Sequence, residues 1–366
     1  MENTSSKPIF LKTQDTDLFQ QLRRQVNETV RTLAPQKKFV IALKAILFPA
    51  AYVFTYVSAL LWGSNVVILF ACYFLLGILI ILNFLNLIHE AVHNTLFEDK
   101  KLNNWYVHFF DLMGANSYIW KIRHTRLHHN YPNVMGWDTD FEQSPMARVF
   151  PHGSYSNIHK YQHIYLPLLY PLFLFNWLLI RDFKDFFNKN QLVWKINVIP
   201  TIEYVKLFIF KAFFIFYTFF LPVLVLKISF GEALTAFVIM MFTASLFSLI
   251  VLLSPHASTE SQFPLPDKNG NMATNWFIHQ LNCTNDVEED NWLTRFWMGC
   301  FNYHIAHHLF PSINHVYYPE VTKIIQEFTA KHHLPYRKFP LLTSLKNHYL
   351  LLKRNAFNEN IFEETM

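Results

Sequence analysis

Cysteine is nearly absent: Cys72, Cys283 and Cys300 are the only three in 366 residues, and none belongs to a Cys-x-x-Cys pair. A disulfide framework and a thiolate metal site therefore have no basis here. Charge is sparse too, at 16% of residues against 52% hydrophobic and 17% aromatic, and glycine numbers only 8. That balance is too apolar for an ordinary soluble domain of this length. No nucleic-acid motif accompanies the net charge of +5. Nor is there a signal-peptide pattern, because the first apolar run is too long and starts too far into the chain.

What is present is a set of long uncharged runs. Residues 65–88 are 24 consecutive residues without a charge. As a helix at roughly 1.5 Å per residue they span about 36 Å, enough to cross the hydrocarbon with some tilt. The uncharged run 45–62 lies just before them, across the short link LWGSN, which predicts a transmembrane hairpin of 40–63 and 65–88. Residues 205–228 and 231–253 repeat the arrangement, with Lys211 near enough to one end to snorkel. The shorter stretch 163–180 contains Pro167 and Pro171 and is expected to lie on the membrane as an interfacial helix. The fold class predicted is an all-α integral membrane protein with four transmembrane helices in two hairpins.

Charge sets the orientation. Lys7, Lys12, Arg23, Arg24, Arg31, Lys37 and Lys38 precede the first span and the first hairpin link has no charge, so the N-terminus is expected to be cytoplasmic. Four spans then return the middle region and the C-terminus to the same side. A cytoplasmic membrane with an anionic inner leaflet suits the positive balance. The expected divisions are a basic cytosolic segment 1–39, a membrane domain 40–350 and a tail 351–366.

Histidine is the unusual residue, with 18 copies, and eight fall in three clusters. His89 and His93 stand in HEAVH, His124, His128 and His129 in HTRLHH, and His304, His307 and His308 in HIAHHLFP. The first is literally the His-Glu-x-x-His of zinc metalloproteases, yet His-x-x-x-His also serves other metals. On an α-helix, positions i, i+3 and i+4 share a face. His89 with His93, His124 with His128, and His304 with His307 and His308 are thus each expected to point together. His129 lies about 100° round from His128, for a second metal or the other edge of the same site. Eight imidazoles exceed one tetrahedral zinc, and two metal ions are the natural reading.

In order and context these clusters resemble the three histidine boxes of the integral-membrane fatty acid desaturases. The similarity runs through GWDTDFEQSP, YQHIYLPLLYPLF, WFIHQLNCTNDV and LFPSINHVYYPEVTKII, which resemble bacterial acyl-CoA and linoleoyl-CoA (front-end-like) desaturases over roughly residues 40 to 350. The resemblance implies a cytosolic helical cap over the four spans, holding a non-heme di-iron centre. It implies nine histidine ligands, eight from the boxes and one near the end of the last span. LLSPHASTE is the matching place, so His256 is the expected ninth ligand, with His279 in IHQLNCT as the rival.

Two positions depart from the family pattern. An Asn that holds a metal-bound water in many acyl-CoA desaturases, four residues before the ninth histidine, is Leu252 here. Box three begins with His304, where eukaryotic front-end desaturases have Gln, so regiochemistry is not carried over. The 39 residues before the first span are expected to be too few for a haem domain, which makes the electron donor a separate protein, ferredoxin or a cytochrome b5-like carrier.

The function expected is an oxygen-dependent fatty acyl desaturase that introduces a cis double bond. Taking hydrogen from an unactivated methylene is beyond any side chain and requires two iron ions, dioxygen and two external electrons. Glu90, Asp138, Asp140 and Asn302 are candidates for fixing the ring tautomers, against plain surface or capping roles. Lys121, Arg123 and Arg126 beside box two are candidates for holding an acyl-CoA or acyl-lipid head group or an acidic electron donor, against a merely solvated helix face. The alternatives are a lipid or carotenoid hydroxylase or ketolase of the same superfamily, an intramembrane zinc protease, and a metal carrier or receptor. A carrier would place its ligands within the membrane along a pathway rather than at helix ends.

Overall fold

The computed structural model describes residues 7–12, 15–141 and 144–357. Helix dominates, and one short parallel strand pair joins Asp286–Val287 to Lys338–Phe339. Among the described residues, five helices are long and apolar enough to cross a membrane, one more than expected. The protein is a membrane protein.

Helix α1 runs without a break from Asp15 to Trp62, 48 residues or about 72 Å. That is more than twice a hydrocarbon core of about 30 Å. The expected start at residue 40 is therefore no helix boundary. Polar residues dominate the first half, but Leu22 and Val26 are fully buried against Phe277, Leu281 and Tyr303 outside the span bundle.

Helix α2 (Val66–Val92) returns after a link in which Gly63 is required, since a Cβ there would lie 2.2 Å from the Ala59 carbonyl oxygen. Asn65 caps α2 by accepting from the Val67 amide. The second hairpin joins α5 (Thr201–Leu226) to α6 (Phe230–His256) through Lys227, which adopts a left-handed conformation at φ 55°. Ser229 and Glu232 form a reciprocal capping box that starts α6. Helices α2 and α6 pack face to face at Gly77, whose missing Cβ leaves room for the Met240 backbone. The last turn of α6 extends three residues past its expected end and carries His256.

Between the hairpins lie α3 (117–128) and α4 (Asn157–Phe187). Pro171 interrupts α4 with a 3-10 turn at Tyr170–Leu172, and a π turn follows at Trp177–Arg181. Lys211 of α5 does not snorkel. Its Nζ donates to Asp182 Oδ2 at 2.6 Å, where the end of α4 supplies a buried counter-charge. After α6 come α7 (Trp276–Cys283), α8 (His304–Leu309), α9 (Tyr318–Lys331) and α10 (Leu341–Arg354). The first three pack with the start of α1 into a second core, while α10 packs against α6 and α4. Helix α10 passes through residue 350, and Leu351 and Leu352 are buried.

Candidate metal centre

The ends of α2 and α6, the last turns of α3 and the whole of α8 bring nine histidines together. They fall into two groups, His89, His93, His124, His129 and His307 in one, and His128, His256, His304 and His308 in the other. Within each group, one nitrogen from each ring lies within 4.8 Å of the others.

This partition differs from the helical-face expectation, and the cause is local. Arg123–His128 is a π segment, in which the His129 amide donates to the His124 carbonyl five residues back at 3.0 Å. The wider turn aligns positions i and i+5. Thus His124 joins His129 in the first group, with Nε2 atoms 3.1 Å apart, and His128 faces the second. In α8, His304 and His308 share the second group while His307, about 100° from His308, enters the first.

The geometry suits metal ions. Nε2 separations are 3.0 Å for His89 and His124, 2.8 Å for His256 and His304, and 3.0 Å for His256 and His308. Two nitrogens bound at right angles to one ion, each at about 2.1 Å, lie about 3 Å apart. The Nε2 atoms of His93 and His307 are buried and have no hydrogen-bond partner among the described residues. Donors with nothing to bind at such depth are what a metal would satisfy. Burial and the neighbouring imidazoles push the proton affinities of His124, His129, His304, His307 and His308 well below the ordinary range. The neutral ring is the ligating form.

The opposite ring edges are held from outside. Asp138 Oδ1 lies 2.9 Å from His128 Nδ1 and Asp140 Oδ2 3.1 Å from His124 Nδ1. Burial lowers the proton affinity of His128, but the Asp138 carboxylate outweighs it and raises the net value. Glu90 lies 3.4 Å from His89 Nδ1 and 3.3 Å from His315 Nδ1, and accepts from the Thr95 hydroxyl at 2.6 Å. Asn302 is directed elsewhere, donating to the Glu289 carbonyl at 3.2 Å.

Sequence reasoning missed three supports. Gln280 Oε1 lies 3.0 Å from His308 Nδ1, the Cys283 carbonyl 3.1 Å from His256 Nδ1, and the Tyr318 hydroxyl 3.3 Å from His307 Nδ1. His279, the rival ligand, belongs to neither group, and its Nε2 lies 3.0 Å from the Pro132 carbonyl. One step on a helix turns a side chain by about 100°, so of adjacent His279 and Gln280 only one faces the centre.

A cavity of about 560 Å³ reaches the histidines, within the range of small-molecule sites. His89, His124, His128, His256 and His304 form one wall, and apolar side chains such as Trp120, Phe173 and Leu249 form much of the rest. Leu252 is part of the wall, four residues before His256.

The family model for fatty acid desaturases matches residues 64–340. The chain belongs to the fatty acid desaturase family. It is 29% identical over 277 residues to an sn-1 linoleoyl-lipid 6-desaturase of Arthrospira platensis, covering 75% of this chain and 74% of that protein. A second sn-1 linoleoyl-lipid 6-desaturase, from Synechocystis sp., is 28% identical, covering 70% of this chain and 71% of the relative. An acyl-lipid (8-3)-desaturase of Physcomitrium patens is 26% identical, covering 89% and 68%. This desaturase is an oxidoreductase acting on fatty acyl chains, and its family uses iron, which the histidine donor set fits.

Family and geometry together disfavour the other readings. In the desaturase the Glu90 carboxylate is occupied by Thr95 and the His315 amide, unlike a free general base beside a single zinc. Of the three cations, Arg123 is 1% exposed and bound to Asp185 at 2.6 Å. Lys121 donates to Asn104 at 2.9 Å and Arg126 is exposed, and neither is on the cavity wall.

Proposed function

We propose that this desaturase inserts a cis double bond into a fatty acyl chain carried on a lipid, using two iron ions, one in each histidine group. The observation that carries the reading is a pair of imidazole clusters, five and four strong, sharing a wall of one apolar cavity. Bound iron with dioxygen supplies the oxidising power for an unactivated C–H bond. The nine histidines hold the metals, and Glu90, Asp138, Asp140, Gln280 and Tyr318 fix their rings. The apolar wall places a carbon pair beside the centre and keeps water away. A lipid carrier is favoured over coenzyme A because the relatives at 26–29% identity are named for lipid-bound chains. The electrons come from a separate protein, ferredoxin or a cytochrome b5-like donor.

Four crossings are supported by direction. Helices α2 and α6 both end at the histidines, so an odd number of crossings must join the end of one to the start of the other. Helix α5 supplies one, and a full crossing by α4 would make two. Helix α4 is accordingly assigned to the membrane surface. The links opposite the histidines, 63–65 and 227–229, contain one cation, Lys227, whereas Lys37 and Lys38 lie on the histidine side. The cap and both termini are therefore assigned to the cytoplasm.

The test is gas chromatography with mass spectrometry of fatty acids from a bacterial host expressing the chain with a ferredoxin system. A new double bond in lipid-bound chains is expected. A hydroxylated product would contradict the proposal.

A further inference from the structure

Eight of the nine histidines are buried, and His93 alone is partly exposed. His93 is also absent from the cavity wall, as are His129, His307 and His308. The histidine clusters thus have one face on the apolar cavity and another part that reaches the surface at His93 and the exposed Asn94.

The surroundings of that exposed part are cationic. Its rings adjoin, with centroids of His93 and His129 4.7 Å apart, and the Asn130 amide next to His129 donates to the Arg126 carbonyl at 3.0 Å. The segment His89–Val92, just before His93, packs against the short helix Lys100–Tyr106, which exposes Lys100 and Lys101. Lys121 donates to Asn104 of that helix at 2.9 Å. Lys100, Lys101, Lys121 and Arg126 have no carboxylate partner among the described residues. The nearby acids are already engaged: Glu98 pairs with Lys38 at 2.7 Å, and Asp99 caps the helix by accepting from the Lys101 amide at 2.7 Å.

We propose that this patch around His93 is the docking surface for an acidic one-electron carrier protein. The inference rests on the metal centre proposed above and adds where its reductant binds. One turnover reduces dioxygen to two waters with four electrons. Two electrons and two hydrogens leave the acyl C–C pair as the double bond forms. The other two electrons arrive singly from the reduced carrier, which is oxidised, and two protons come from solvent. A carrier seated on the patch meets the one ligand edge that is not sealed, which is off the cavity wall. Unpaired cations at a rim speed association with an acidic partner and make it dependent on salt.

The same helix exposes Leu102 and Trp105, so anionic lipid head groups are the competing occupant. The test uses iron-loaded full-length protein in nanodiscs of neutral phosphatidylcholine, with a reduced plant-type [2Fe–2S] ferredoxin as probe. Lys101→Glu with Arg126→Glu is expected to raise the KM for ferredoxin about tenfold and to flatten its dependence on ionic strength. Iron content and turnover of protein prereduced with dithionite, then mixed with dioxygen, should match the parent. If the double variant folds poorly, Arg126→Gln should give a smaller rise in the same direction. An unchanged KM and salt slope, or an effect that appears only with anionic lipid, overturns the docking surface. Failure of the parent itself to hold iron or to turn over after dithionite reduction overturns the metal centre instead.

Discussion

The Gln280 side-chain carbonyl lies 3.0 Å from His308 Nδ1, and the same amide donates to the His129 carbonyl at 3.1 Å. A carbonyl can only accept, so the amide orientation is fixed. His308 must therefore carry its proton on Nδ1, which leaves Nε2 for a metal. Gln280 thereby ties box three to box two.

Gln280→Leu should lower iron occupancy or turnover by about 10–100-fold, the usual cost of losing such a support. Gln280→Glu keeps an acceptor for His308 but loses the donor to His129, and should fall between. Iron analysis alongside a thermal melt checks this; an unchanged iron content in the leucine variant would be inconsistent with the assigned tautomer.

His307→Ala removes one imidazole from the five-histidine group. Product should become undetectable and iron should fall from two toward one per chain, while the amount of protein in the membrane stays the same. Product formation at parental rates would count against box three as a ligand set.

Gly77 is where α2 and α6 touch: a Cβ there would lie 2.5 Å from the Met240 carbonyl and 2.8 Å from Thr243 Cβ. Gly77→Ala should cost about 1–3 kcal/mol by forcing the helices apart. Because these helices carry His89 and His256, iron should be lost as well. A Cβ at Gly231 meets only Ser229 Oγ at 3.8 Å, so Gly231→Ala is the neutral comparison in the same melt.

His348 of α10 joins the Tyr170 hydroxyl of α4 at 2.5 Å across the cavity wall. Burial pushes its proton affinity down to about 4 from an ordinary 6.5. The folded value is below the unfolded one, so the stabilisation is complete above about pH 6.5 and is lost as pH falls toward 4. The full loss is about 3 kcal/mol. His348→Gln should remove this part of the acid sensitivity; identical pH slopes for parent and variant melts would show that His348 is not the group.

The long apolar helices were legible because a lipid-facing helix must be apolar on every turn, and 65–88 is uncharged throughout. The histidines were legible through their number and their place at helix ends. Their partition was not. Regular α periodicity pairs His124 with His128, and nothing in HTRLHH announces the π turn that pairs it with His129 instead. The long polar start of α1 was hidden for a similar reason, since its helicity depends on burying Leu22 and Val26 against residues more than 250 positions away, such as Phe277. Charge alone also misread Arg123 and Lys211, whose buried partners, Asp185 and Asp182, are remote in sequence.

On the proposed reading, nine histidines hold two metal ions. The most direct measurement is the metal content per chain of protein purified from iron-supplemented cells, by mass spectrometry. Two irons per chain are predicted. A single zinc would contradict the account.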